Sequence, residues 1–180
     1  IHWTNVYRLY KFTRAISPAQ IAFYDPGLGS DPDLQEEAGL FSGLHKWVSQ
    51  ATGLGITRNI VDCYAALLLC YEPGDRIFLF GFSRGAYTVR SLGGVLGLCG
   101  IPVHPHGGSA HVTRWNQFRA HLDSVRPLAE EAVRNVYQIG DENVRQQAAQ
   151  DFRQRHGSAD ALPYFVGVWD TVRALGIKGI

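Results

Sequence analysis

Gly81-Phe82-Ser83-Arg84-Gly85 sets a hydroxyl between two glycines, each two positions away, in the G-x-S-x-G pattern of a nucleophilic serine. Serine attacks a carbonyl carbon when a base takes its proton and hydrogen-bond donors stabilise the oxyanion that forms. A tight strand-to-helix turn serves both needs. It pushes the hydroxyl clear of the sheet at the cost of strained dihedrals, and glycines at 81 and 85 are expected to let the crossing backbones pass. The helix that follows aims its N-terminus at the reacting centre, so the main-chain N–H of Arg84 is the expected oxyanion donor. The competing reading is a Gly-rich turn that only joins two elements, because short matches to this pattern are common.

A serine base is usually histidine, itself held by a carboxylate, and in parallel-sheet hydrolases the three follow in the order Ser, Asp/Glu, His. Asp170 ends the apolar run Phe165-Val166-Gly167-Val168-Trp169, which puts its carboxylate at a strand's C-terminal edge, where open α/β sheets carry their sites. It is the best candidate for the orienting acid, although it would also suit the N-cap of a helix starting at Thr171-Val172. No histidine follows Asp170, so the base is expected beyond Ile180 or in an unusual chain order.

Other reactive side chains suggest less. His104, His106 and His111 cluster in a Pro/Gly-rich stretch without acidic or Cys partners at ligand spacing, so no metal and no cofactor is expected. His45, His121 and His156 are expected to be solvated or packed, Asp62 to lie on a helix's polar side, and Asp75 to close a turn. The side chains of Arg84 and Arg90 suit either a lipid phosphate or an ion pair beneath the elbow.

These groups need elements to position them. Thr4-Asn5 precedes Val6, Leu9, Tyr10 and Ile16, predicting a helix of about three turns that stops at Ser17-Pro18. Residues 20–24 read as a short buried strand running into the loop Asp25-Pro26-Gly27-Leu28-Gly29. Phe41, Leu44, Trp47 and Val48 share one helical face, and Ile60, Tyr64, Leu67, Leu68 and Tyr71 share another. The apolar run 76–81 predicts a central parallel strand, buried on both faces, and a helix covers about 86–98. Residues 100–110 read as a loop of the kind that forms lids, and 115–155 as helix broken at Arg126-Pro127 and Gly140-Asp141. A last buried strand covers 164–169.

Helices alternating with short apolar strands predict an α/β chain: an open, mostly parallel sheet with helices on both faces. All 180 residues are expected to form a single domain, with 101–163 a cap-like loop and helical insertion within it. An apolar content of 46% with 18% charged residues supports a packed core and argues against disorder. A net charge of +1 is too weak a field to recruit nucleic acid. The apolar stretches 63–71 and 91–103 are too short or too Gly-rich to cross a membrane. Cys63, Cys70 and Cys99 are odd in number and lack C-x-x-C spacing, so buried free thiols are expected. The chain opens on Ile1-His2-Trp3 and has no methionine, so it is expected to be part of a longer protein, with its localisation left open.

Three stretches carry a family resemblance. Thr4-Asn5-Val6, Arg8-Leu9-Tyr10, Tyr24, Pro26-Gly27-Leu28-Gly29, Gly53-Leu54-Gly55-Ile56 and Asn59-Ile60 form the first. The most specific runs from Tyr71 and Pro73-Gly74-Asp75 through Ile77-Phe78-Leu79-Phe80 to Gly81-Phe82-Ser83-Arg84-Gly85-Ala86-Tyr87-Thr88 and Arg90. Phe165-Val166-Gly167-Val168-Trp169-Asp170-Thr171-Val172 is the third. Together they resemble the α/β-hydrolase family of formerly uncharacterised domains that includes the type VI secretion phospholipase effectors.

The resemblance implies an α/β-hydrolase-like fold with Ser83 and Asp170 as triad members. It also implies that a first strand ending in an Asp-Gly-Thr loop and a later His-containing segment lie outside these residues, which would leave this piece nearly inactive alone. The expected activity is serine ester hydrolysis on glycerophospholipid or other acyl esters, with a cognate immunity or delivery protein as a further partner. Two alternatives stay open: a soluble carboxylesterase or thioesterase, and a hydrolase-like interaction module without catalysis.

Overall fold

The structure, a computed structural model, describes residues 4–14, 20–25, 53–103 and 115–171. The expected helix at 41–48 and the His104, His106 and His111 cluster lie outside those residues.

Helix α1 (Asn5–Arg14) starts as its sequence predicts. The Thr4 hydroxyl accepts the Tyr7 N–H at 3.2 Å, which satisfies an orphan donor of the first turn, and the Thr4 carbonyl accepts that of Arg8 at 3.0 Å as the first bond of the helix ladder. Residues 20–25 form no strand, contrary to expectation, and Ile21 is 67% exposed. An apolar run becomes a strand only where a neighbour supplies the ladder. Here Tyr24 instead packs its ring on Tyr10 and Tyr7, with centroids 5.3 and 5.2 Å away.

Helix α2 (Gly53–Cys70) buries Ile56, Ile60, Tyr64 and Leu68, a stripe of four-residue spacing. Strand β1 (Phe78–Phe82) and helix α3 (Arg84–Cys99) follow, separated by Ser83 alone. Strand β2 (Ile101–Pro102) pairs antiparallel with β3 (Ser158–Ala159), and between them lie α4 (Trp115–Ala132), a π-helical turn (Val133–Tyr137) and α5 (Glu142–His156). Strand β4 (Phe165–Trp169) pairs parallel with β1.

Helix α4 runs through Pro127 instead of breaking there. Proline removes the N–H that would bond the Asp123 carbonyl, but Pro127 and Asp123 are both exposed, so water can take that carbonyl. Val125, Ala129 and Ala132 stay fully buried on the opposite face and carry the helix across the gap. The second expected break is real: Asp141 caps α5 by accepting the Val144 N–H at 3.0 Å.

One core unites these helices. Val125, Val133, Val136, Ala149 and Phe152, from α4, the π-helical turn and α5, join the buried cluster of α2 and α3. The Tyr64 hydroxyl crosses it to donate to the Gly100 carbonyl at 2.8 Å. Gly100 itself, at φ 63°, leaves no room for a side chain, because a Cβ would fall 2.3 Å from the Ala159 carbonyl oxygen. Gly100→Ala is therefore expected to cost on the order of 3 kcal/mol, read as a lower urea midpoint at unchanged slope.

The described residues hold two two-stranded sheets, and in the parallel pair β1–β4 the first strand differs from the expected one buried on both faces. Leu79 and Gly81 are buried on the α3 side, whereas Phe78 and Phe82 are 49% and 47% exposed. Parallel register puts Phe78, Phe80 and Phe82 on the same face as Phe165, Gly167 and Trp169, where the Phe80 ring lies 5.6 Å from Phe165 and 6.3 Å from Trp169. No described helix is long and apolar enough to cross a membrane.

All three cysteines are free thiols, as expected, but their burial differs: Cys63 and Cys70 are half-buried, whereas Cys99 is fully buried with its Sγ 3.8 Å from the Ala132 carbonyl. Burial pushes the Cys99 thiol up to about 12 and raises the Tyr64 phenol well above its ordinary value. Both groups are therefore held neutral by the fold, and the stability they contribute is complete below their unfolded pKa values. It is lost as pH rises through the folded ones. The urea midpoint is expected to fall between pH 8 and pH 10.5, and less steeply in Tyr64→Phe than in the wild type.

Candidate active site

Ser83 lies between the last residue of β1 and the first of α3, at φ 55° and ψ −118°. Its N–H extends the parallel ladder by one step, donating to the Trp169 carbonyl at 2.9 Å. Its carbonyl accepts the Ala86 N–H at 3.1 Å and so opens the helix. The chain thus turns from strand to helix within one residue. A serine that merely capped α3 would have an extended backbone, with its hydroxyl on an N–H of the first turn. Ser83 has neither: its dihedrals are strained and its side chain makes no cap hydrogen bond.

The glycines of the motif differ in role. A Cβ at Gly81 would lie 2.3 Å from the Gly85 carbonyl oxygen, 2.5 Å from its carbonyl carbon and 2.7 Å from the Ala86 Cα. All three are backbone atoms that cannot swing aside. A Cβ at Gly85 would meet nothing within 4 Å, so the expectation that both positions need glycine for clearance is corrected: the clearance is required at Gly81.

Arg84 is the first residue of α3, and an N–H in that position has no intrahelical partner. Its carbonyl is engaged in the first turn, accepting the Thr88 hydroxyl at 3.2 Å. The free end of the helix dipole therefore points to the same place as the Ser83 turn.

Asp170 sits beside this turn. Phe82 pairs with Trp169, so the next residue of each strand, Ser83 and Asp170, leaves the sheet at the same edge from neighbouring strands, which are about 5 Å apart. Asp170 is exposed and has φ 48°. Among the described residues, the two non-glycines with positive φ are Ser83 and Asp170. Such backbone costs on the order of 1–3 kcal/mol per residue and persists where the surroundings force it, typically at functional sites. The cap reading of Asp170 would need a helix over residues 172–180, which lie outside the described residues.

Residues 2–180 match the family described as the catalytic domain of Tle1-like phospholipase effectors of the type VI secretion system (T6SS). The chain belongs to this family. It is also 35% identical over 104 residues to a protein of Saccharomyces cerevisiae described as "Uncharacterized protein YEL023C". That similarity covers 55% of this chain and 15% of the yeast protein, so the chain spans a small part of that relative's length. No solved structure matches.

The remaining candidates in this Tle1-like domain fall outside the turn. His156 packs its ring 4.5 Å from Phe152 and brings Nε2 to 3.3 Å from Glu131, close enough for an ion pair but not aligned for a hydrogen bond. His121 is exposed on α4. Asp62 accepts Arg126 Nη1 at 2.5 Å on the side of α2, and Asp75 accepts the Glu72 N–H at 2.9 Å in its turn, both structural as expected. Arg90 is exposed and forms no ion pair among the described residues, so the proposed pair beneath the elbow does not involve it. His45 lies outside the described residues. The described residues contain no cluster of His, Cys, Asp or Glu able to hold a metal.

One contributor left no trace in the sequence. The Trp169 carbonyl fixes the Ser83 N–H, yet only the pairing of β1 with β4 brings the two together across 86 residues. Any residue has a carbonyl, so no residue type could have pointed to it.

Proposed function

We propose that the intact protein is a serine hydrolase of the α/β-hydrolase kind that cleaves acyl esters of glycerophospholipids. The observation that carries this reading is the strained Ser83 backbone in a one-residue strand-to-helix turn, with its hydroxyl not spent on capping. The Tle1-like family description supplies the substrate class.

In this mechanism Ser83 Oγ attacks the ester carbonyl carbon as its proton passes to a histidine supplied elsewhere in the full-length protein. The carbonyl π pair moves onto oxygen, and the oxyanion is met by the Arg84 N–H and the N-terminal end of the α3 dipole. Collapse expels the alcohol of the lysophospholipid, which takes the proton back from the histidine and leaves an acyl-Ser83 ester. Water, activated by the same base, then releases the fatty acid. Asp170 holds the histidine in the productive tautomer and stabilises its charged form. Further strands of the full-length protein extend the β1–β4 pair into a larger sheet. The family description names the type VI secretion system, and a cognate immunity or delivery protein is the further partner that the family resemblance implies.

The test is fatty-acid release from phosphatidylethanolamine and phosphatidylglycerol vesicles by the full-length protein. Asp170→Asn, which preserves shape and removes charge, is expected to lower kcat by about 10⁴ with little change in KM. Turnover of short soluble esters but not of vesicles would replace the phospholipase with a soluble esterase. An Asp170→Asn rate equal to wild type would remove Asp170 from the site.

A further inference from the structure

Between α2 and α4 lies a groove of about 450 Å³ lined by Arg58, Val61, Asp123, Arg126, Glu130 and Arg134. None of these belongs to the Ser83 turn or neighbours Asp170. Val61, 1% exposed, is the buried apolar part of the lining. Asp123, Arg126, Glu130 and Arg134 recur at spacings of three and four, so they form one stripe of alternating sign along α4 and the π-helical turn.

The charges in this stripe are unequally committed. Arg126 ties the two walls together, with Nη1 2.5 Å from Asp62 and Nε 3.5 Å from Asp123. Arg58 reaches Asp62 only at 3.8 Å, with its side chain 73% exposed. Arg134 and Glu130 are exposed and form no ion pair among the described residues. The groove therefore offers two guanidiniums with spare donors and one spare carboxylate, on walls fixed by the core beneath them.

Guanidinium forks match phosphate oxygens, and two of them clamp one phosphate better than a single ammonium could. A simple anion, however, would also face the carboxylate of Glu130. A ligand with a phosphodiester and an amine a few bonds apart answers both signs. We propose that this groove binds the headgroup of a zwitterionic glycerophospholipid, with the phosphate on Arg58 and Arg134 and the amine on Glu130. The choice of a lipid source rests on the phospholipase reading above. The groove then holds the protein on the membrane whose lipids the Ser83 site cleaves.

The test uses full-length Ser83→Ala protein, which binds without turnover, titrated calorimetrically with glycerophosphoethanolamine, glycerol phosphate and inorganic phosphate. Glycerophosphoethanolamine is expected to bind most tightly. Arg58→Ala/Arg134→Ala should weaken it at least about tenfold, and Glu130→Gln should abolish its advantage over glycerol phosphate. The double variant should also lose binding to phosphatidylethanolamine vesicles. With Ser83 intact it should keep full fluorophosphonate labelling, which separates failure of the groove from failure of the nucleophile. Glycerophosphoethanolamine binding that is indifferent to the double variant, or no tighter than that of inorganic phosphate, would overturn the proposal; the second result would make the groove a free-phosphate site.

Discussion

Ser83→Ala in the full-length protein is expected to lower ester hydrolysis by a factor of about 10⁵ to 10⁶ while leaving stability within about 0.5 kcal/mol of wild type. The two halves of this expectation have separate causes. The hydroxyl forms no cap hydrogen bond and is partly exposed, so the fold does not depend on it. The backbone bonds that anchor the turn, to the Trp169 carbonyl and from the Ala86 N–H, survive the substitution. Alanine adopts φ 55° no more easily than serine, so the strain is unchanged and only the nucleophile is lost. The residual rate comes from the oxyanion donor and from substrate binding, which the variant retains. A rate measured with a soluble ester and an unfolding curve in urea check the two halves together.

Gly81→Ala is expected to act in the opposite order, through the fold first. Its Cβ would enter the backbone of Gly85 and Ala86 at 2.3 to 2.7 Å, well inside van der Waals contact. Relief requires β1 and α3 to separate at the point where Ser83 joins them. The expected cost is on the order of 3 kcal/mol, and the Arg84 N–H moves away from the oxyanion position, so hydrolysis falls about 10²-fold or more even in the fraction that stays folded. Gly85→Ala is the matched control. With nothing within 4 Å of its Cβ, it is expected to keep the urea midpoint near wild type. Equal damage from the two substitutions would mean that the motif's glycines serve something other than the observed crossing.

The contrast shows what residue types can and cannot reveal. The turn was legible because its demands are local: a buried apolar run, a residue without Cβ, a hydroxyl and a helix start must follow one another in order. Asp170 was legible for the same reason, as the residue that ends an apolar run. Their adjacency was not, because it depends on β1 pairing with β4 in one register, a contact between segments far apart in the chain. Residues 20–24 misled because an apolar pentapeptide looks the same whether a strand or the rings of α1 receive it. Pro127 misled because its penalty depends on whether water can reach the carbonyl it frees, which local sequence does not encode. The stripe of Asp123, Arg126, Glu130 and Arg134 was visible as spacing, but its unequal pairing follows from where α2 places Arg58 and Asp62.

The central claim is that Ser83 is an activated nucleophile, and a fluorophosphonate probe reports that property directly. The full-length protein, treated with the probe and digested with trypsin, is expected to yield an adduct on the peptide 77–84, at Ser83, and none in Ser83→Ala. Folded wild-type protein that takes up no probe, or takes it up at another residue, would contradict the claim and leave the turn as architecture without chemistry.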